Sequence, residues 1–378
     1  MTGAAPRADC TATPRGSPSP SSTRHYEALD GLRGFAVLLV FCVHAAGNAA
    51  GVLFGMETGP SAMQATSGWD EQLLFWLHRS HHGVYIFFVL SGFLIGRMWW
   101  PRPALTYRAF AWRRTLRIYP AFLLSFVAAL AFAFASQTWT PPDFPRVIGN
   151  FLFLNGVPTL AVVPFNIVTW SLFYEMTFYI GFPVLALLAL RGDAKRAWWL
   201  PAAGIIVPAV TTMLGAHTFY LCWSLLFCGV AAAMYHDRVA ALARALPGVG
   251  IVVVYLVVTT VALLDIVAPT VAILAFGAVA VLVLVKGLQA GNIVAWLLTR
   301  APLIALGRIS YSFYLLHWMI VVLVARAITP YADALGPVGG TIVIFVAGFV
   351  LSALAAAVSW WLAERPYFAR RHRARARA

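Results

Sequence analysis

Arg33 and His44 stand eleven residues apart in one apolar run. At about 100° per residue, that spacing is close to three full helical turns, so both side chains share a face about 16 Å apart along the axis. A guanidinium near a membrane surface suits an anionic group, and an imidazole deeper on the same face suits proton transfer. A snorkelling Arg33 and a His44 that merely bonds a neighbouring helix would account for the same two residues without chemistry. Glu175 ends the segment Thr169-Trp170-Ser171-Leu172-Phe173-Tyr174-Glu175 and falls inside another apolar run. A carboxylate there needs a partner, and His44 and Arg33 are the expected ones, with a purely structural ion pair as the alternative.

Three further segments carry polar groups in apolar surroundings. Phe87 to Gly96 holds Ser91, a candidate for orienting a ligand, and Gly92 and Gly96, whose spacing suits tight helix packing. Arg114 and Arg117, three apart, would share a face of a short interfacial helix and clamp phosphates. Ordinary cytoplasmic charge and attraction to anionic lipid explain them equally. Gly307 to Trp318 holds Tyr311 and His317, the latter more often a packing histidine than a reactive one. Asp30, three residues before Arg33, joins Ser91, Trp170, Ser171, Tyr311 and His317 as a pocket candidate. His78, His81 and His82 sit in an expected outer loop without supporting ligands, so no metal is expected. Cys10, Cys42, Cys222 and Cys228 follow no zinc or disulfide spacing.

The elements that must carry these groups follow from composition. Of 378 residues, 61% are hydrophobic and 11% charged, against about 25% charged in an average soluble domain. A span needs roughly 20 apolar residues. Ten stretches qualify: 31–50, 83–100, 119–137, 166–190, 197–215, 218–235, 246–264, 267–285, 303–325 and 339–362. The stretch 147–163 is broken by Asn155, Gly156 and prolines and reads as interfacial or re-entrant. With the N-terminus cytoplasmic, 23 of the 27 basic residues fall inside and only Arg79, Arg146 and Arg326 outside. That asymmetry places both termini in the cytoplasm. The net charge of +14 therefore orients a membrane protein and is no nucleic-acid surface. The expected fold is all-α and polytopic: a disordered leader over 1–28, a membrane domain over 29–364 and a basic tail over 365–378.

In this order, Asp30 to His44, Phe87 to Gly92, Arg114 to Arg117, Trp170 to Glu175 and Gly307 to His317 resemble the acyltransferase type 3 family of bacterial membrane O-acyltransferases. The resemblance covers residues 26 to 368. It implies transfer of an acyl group, commonly acetyl, from cytoplasmic acyl-coenzyme A to a hydroxyl. The coenzyme is then a co-substrate, and no cofactor is bound permanently. Carried onto this chain, His44 would be the general base or, less readily, a transient acyl carrier. Glu175 would orient His44 or bind acceptor hydroxyls, and Arg33, Arg114 and Arg117 would hold coenzyme phosphates.

The resemblance also implies a multi-pass protein of the bacterial cytoplasmic membrane, with a cell-envelope glycan or glycolipid as first acceptor. A small secondary metabolite such as a macrolide sugar is the alternative. From another class, a proton-coupled transporter or flippase would use His44, Glu175 and Arg33 as relay and gate, although inverted repeats and broken helices do not stand out.

Overall fold

Apolar runs this long satisfy their backbone groups in lipid only by closing helical hydrogen bonds, and the computed structural model is helical accordingly. It describes residues 20–55, 68–79, 81–100, 103, 105–141, 143–190 and 197–367, with side chains from Glu27 onward. Residues 1–19 of the expected leader, Cys10, Glu57 and the tail beyond residue 367 lie outside them. Among the described residues every regular element is a helix. In order these are α1 (Pro20–Phe54), α2 (Trp69–Arg79), α3 (His82–Trp99), α4 (Tyr107–Ala135) and α5 (Phe144–Phe151). Then come α6 (Trp170–Leu190), α7 (Trp199–Met213), α8 (Leu221–Met234), α9 (His236–Ala245) and α10 (Gly248–Leu263). Last are α11 (Pro269–Gly287), α12 (Ile293–Leu298), α13 (Ala301–Arg308), α14 (Ser310–Ile328) and α15 (Ala332–Ser359).

Each of the ten expected spans holds a helix, but six helical stretches are long and apolar enough to cross a membrane, or seven with the bent α8–α9 pair. One of the six, Ser310–Tyr367, contains both α14 and α15. α7 and α10 have only 15 and 16 residues, roughly 23 Å of helix against a hydrocarbon core near 30 Å. The ninth expected span is also two helices, because the chain breaks at Ile309 between α13 and α14. Arg114 and Arg117, expected on a separate interfacial helix, instead ride the N-terminal part of α4, which runs unbroken for 29 residues. Thr106 caps it by accepting from the Ala109 amide.

Two large apolar cores divide the bundle, beside a small third cluster of Ala129, Ala133, Phe165 and Met319. One gathers Phe88, Phe93, Tyr174, Leu226 and Phe276 from α3, α6, α8 and α11. The other gathers Phe41, Phe122, Phe313, Val321 and Ile344 from α1, α4, α14 and α15. α1 contributes to both, with Leu32 and Ala36 in the first and Val37, Val40 and Phe41 in the second. Outside the cores, Val207 on α7, Val253 and Val257 on α10, and Val346 and Leu354 on α15 are exposed. Large apolar side chains on this scale need hydrocarbon around them.

Close backbone approach fixes the two helices that matter most to the interior. A Cβ on Gly307 would run into the Asp30 carbonyl, so α1 meets α13 main chain to main chain. A Cβ on Gly92 would run into the Leu226 carbonyl, so α3 and α8 do the same. Gly92→Leu should therefore sharply lower the amount of folded protein and its thermal midpoint in detergent. Gly181 has nothing within 4 Å of where its Cβ would stand, so Gly181→Ala should be neutral or gain up to about 1 kcal/mol of helix propensity. Equal effects of the two substitutions would contradict this packing.

Candidate active site

Three adjoining cavities run between the two cores. The first is narrow, about 90 Å³, and is lined by Arg33 of α1, Ser91 of α3, Arg114 and Arg117 of α4, Ser171 and Glu175 of α6, and Tyr311 of α14. The second, about 400 Å³, is lined by His44, Trp170, Asn155 and otherwise mainly apolar side chains. Val84 and Tyr314 line both, forming their shared wall. The third, about 380 Å³, shares His81, Tyr85, Thr218 and Ile273 with the second. It ends beside Arg79, whose guanidinium donates to both oxygens of Asp265 at 2.8 and 2.9 Å.

Seven of the eleven sequence candidates thus meet around the first cavity, and its electrostatics are one-sided. The Arg33 Nη1 pairs with Asp30 Oδ1 at 3.2 Å, accounting for Asp30. Arg114 lies over the rings of Phe110 and Tyr179, at 5.4 and 5.0 Å from their centroids. Arg117 has no hydrogen bond or ion pair among the described residues. Glu175 faces these three cations already engaged: Ser91 Oγ donates to its Oε1 at 3.1 Å and the Tyr179 hydroxyl to its Oε2 at 2.9 Å. A narrow cavity with three guanidiniums and one occupied carboxylate has the charge to attract an anion.

His44 and Trp170 belong to the second cavity, so the expected pairing of Glu175 with His44 does not form. Among the described residues no hydrogen bond joins them. The physical reason is competition: two hydroxyls from α3 and α6 already satisfy the carboxylate, and Tyr179 sits one helical turn beyond it. The ring next to His44 is instead His317, with centroids 5.2 Å apart. Trp170 stacks on Phe219 at 4.3 Å and 12°. The Tyr314 hydroxyl donates to the Val168 carbonyl at 2.7 Å and lies 2.8 Å from Ser171 Oγ, which pins the wall between the cavities. Tyr311 donates to the Ile118 carbonyl at 3.1 Å.

Sequence reading passed over several contributors. Tyr179 was legible as the i+4 neighbour of Glu175. Glu364 was not: a π-helical turn, Trp360–Glu364, carries it inward to 5% exposure, where Ser312 Oγ donates to its Oε1 at 2.6 Å. π turns leave no composition signature and recur at functional sites. Asn155 stands out in the sequence only because it interrupts the stretch 147–163. Its Nδ2 donates to Thr169 Oγ1 at 2.9 Å, while its Oδ1 is buried without a partner. Among the described residues, no three His, Cys, Asp or Glu side chains are grouped to hold a metal ion.

A family model described as an acyltransferase domain matches residues 26–361, which takes in all of these residues except Glu364. The chain belongs to the acyltransferase type 3 family. It is similar to acyltransferase MdmB of Streptomyces mycarofaciens, 26% identical over an alignment of 326 positions that covers 78% of each chain. No solved structure matches it. The protein is thus an enzyme that transfers acyl groups, and its long apolar helices are those of a chain suited to cross a membrane several times.

The geometry of the acyltransferase around Glu175 makes a direct claim. Tyr179→Phe removes one of two donors to a carboxylate inside the bundle and should cost about 1.5–3 kcal/mol. The thermal midpoint of the solubilised protein reads that loss, and an unchanged midpoint would show the bond contributes nothing.

Proposed function

We propose that the protein is an integral-membrane O-acyltransferase that moves an acyl group, acetyl in the first instance, from acyl-coenzyme A to a hydroxyl. The observation that carries this reading is the order of the cavities: an arginine-lined anion site, then a pinned wall, then a cavity that holds an imidazole. That order suits a donor whose phosphates and thioester lie at opposite ends of a thin arm. The narrow first cavity suits the arm, with Arg33, Arg114 and Arg117 against the diphosphate. Glu175 then serves the donor side, holding through its hydrogen bond the Tyr179 ring over which Arg114 lies.

His44, neutral in an apolar cavity, removes the proton of the acceptor hydroxyl as the oxygen attacks the thioester carbonyl. The carbon–sulfur bond breaks, and the departing sulfur takes that proton from His44. The excess of basic residues on one side supports ten crossings of the bacterial cytoplasmic membrane, with both termini and the arginine cavity facing the cytoplasm. The acceptor then approaches through the third cavity, on the side of the His44 cavity away from Arg33, Arg114 and Arg117.

For the acceptor, the notable fact is the lining of the second cavity. Val40, Val43, Ile167, Trp170, Phe219 and Leu221 dominate it, and none of its lining residues is Asp, Glu, Lys or Arg. A volume near 400 Å³ lies in the range of small-molecule sites. Both points favour a small hydroxyl compound with apolar faces, such as a macrolide sugar, over a large envelope glycan or glycolipid.

The test is label transfer from radiolabelled acetyl-coenzyme A in membranes bearing equal amounts of wild-type or variant protein. His44→Ala should reduce transfer by a factor on the order of a hundred or more. Arg117→Ala should raise KM for acetyl-coenzyme A roughly tenfold or more, the worth of one charge-assisted hydrogen bond. Undiminished transfer by His44→Ala would refute the role of the imidazole. An unchanged KM in Arg117→Ala would refute the donor site.

A further inference from the structure

His317 on α14 is fully buried, at 0% exposure, and one side of its ring is committed. Its Nδ1 lies 2.8 Å from the Tyr314 carbonyl and 3.1 Å from the Phe313 carbonyl. A carbonyl oxygen only accepts, so Nδ1 carries the proton and Nε2 the lone pair. That Nε2 is buried and has no hydrogen-bond partner. A buried acceptor without a donor is costly, and folded proteins keep few of them. The Phe313 ring stacks on the imidazole at 5.8 Å and 13°, so backbone and ring together fix its orientation.

The polar ring beside it is His44, with centroids 5.2 Å apart and planes inclined by 51°. At that spacing, ring nitrogens turned toward each other come within about 3 Å, an N–H···N hydrogen-bond length. Because the backbone has already settled which nitrogen of His317 accepts, His44 must supply the N–H. With a His44 nitrogen turned onto that lone pair, the bond forms and the other His44 nitrogen is left unprotonated.

We propose that His317 is the positioning residue of His44: its Nε2 accepts a hydrogen bond from one His44 nitrogen and leaves the lone pair of the other for the acceptor hydroxyl. The inference rests on the reading of His44 as the general base. During transfer, the hydroxyl proton moves to His44, and the imidazolium so formed shares its other proton with His317 Nε2. The oxygen bonds to the acyl carbon, the carbon–sulfur bond breaks, and the sulfur leaves with the proton from His44. In hydrolases a carboxylate orients the catalytic histidine in this manner. Here the carboxylate of Glu175 is held in the first cavity by Ser91 and Tyr179. A neutral imidazole does the same work without another charge buried in the bundle.

Two substitutions separate orientation from packing. His317→Asn keeps an N–H donor near the place of Nδ1 and removes Nε2. His317→Gln reaches the place of Nε2 with an amide oxygen that accepts. With radiolabelled acetyl-coenzyme A and equal protein amounts in membranes, His317→Asn should lower kcat on the order of tenfold or more, with KM for acetyl-coenzyme A within about twofold of wild type. His317→Gln should recover most of the lost kcat. A kcat for His317→Asn within about twofold of wild type overturns the proposal, and so does a Gln variant as slow as the Asn variant. If the Asn protein does not accumulate, nitrogen NMR of His44 in the wild-type protein decides: a proton on the nitrogen facing His317 supports the pair, and a proton on the cavity-facing nitrogen overturns it. Full activity in His44→Ala would defeat the base itself. An inactive His44→Ala beside an active His317→Asn would defeat only the pairing.

Discussion

Hydrocarbon gives a charged or strongly polar group nothing to bond with, and α1 carries both a guanidinium and an imidazole through it. The rest of the bundle answers that constraint. Arg33 and His44 point into protein-lined space because α1 is enclosed by α3, α13, α14 and α15 rather than exposed to lipid. The enclosure depends on backbone meeting backbone, which Gly307 against Asp30 permits on one side. Gly92 against Leu226 then closes α3 onto α8, so that Ser91 is presented to Glu175. Within this enclosure Arg33 pairs with Asp30, Glu175 with Ser91 and Tyr179, and Glu364 with Ser312.

The same enclosure separates two chemistries that would interfere if mixed. Cations gathered around the first cavity would repel a proton from any base beside them, whereas the His44 cavity has no charged side chain in its lining. Tyr314 and Val84 stand between them, and Tyr314 is fixed by Val168 and Ser171. If the donor is the long acyl-coenzyme A proposed above, its own length would bridge that separation, with no large movement needed to bring phosphate site and base together.

Much of this was legible in the sequence because helical geometry is regular. The shared face of Arg33 and His44 follows from eleven residues of spacing, and the shared face of Arg114 and Arg117 from three. The helical class and the apolar spans follow from composition. What the sequence withheld depends on contacts between helices. That Arg33 and His44 open into different cavities is decided by a tyrosine and a valine on two other helices. That Glu175 turns away from His44 is decided by Ser91 on α3. The inward turn of Glu364 needs a π-helical step that no residue type announces. The count of spans was blurred for a simpler reason: α7 and α10 are apolar enough but short.

A cryo-EM structure of the protein in lipid nanodiscs with a non-transferable thioether analogue of acetyl-coenzyme A tests most directly whether one donor spans both cavities. The diphosphate should lie against Arg33, Arg114 and Arg117, and the carbon that stands for the reacting carbonyl should lie past Tyr314, within hydrogen-bond reach of a hydroxyl held by His44. A diphosphate bound beside Arg79 and Asp265, or an acyl end that stops short of Tyr314 with His44 out of reach, would contradict it.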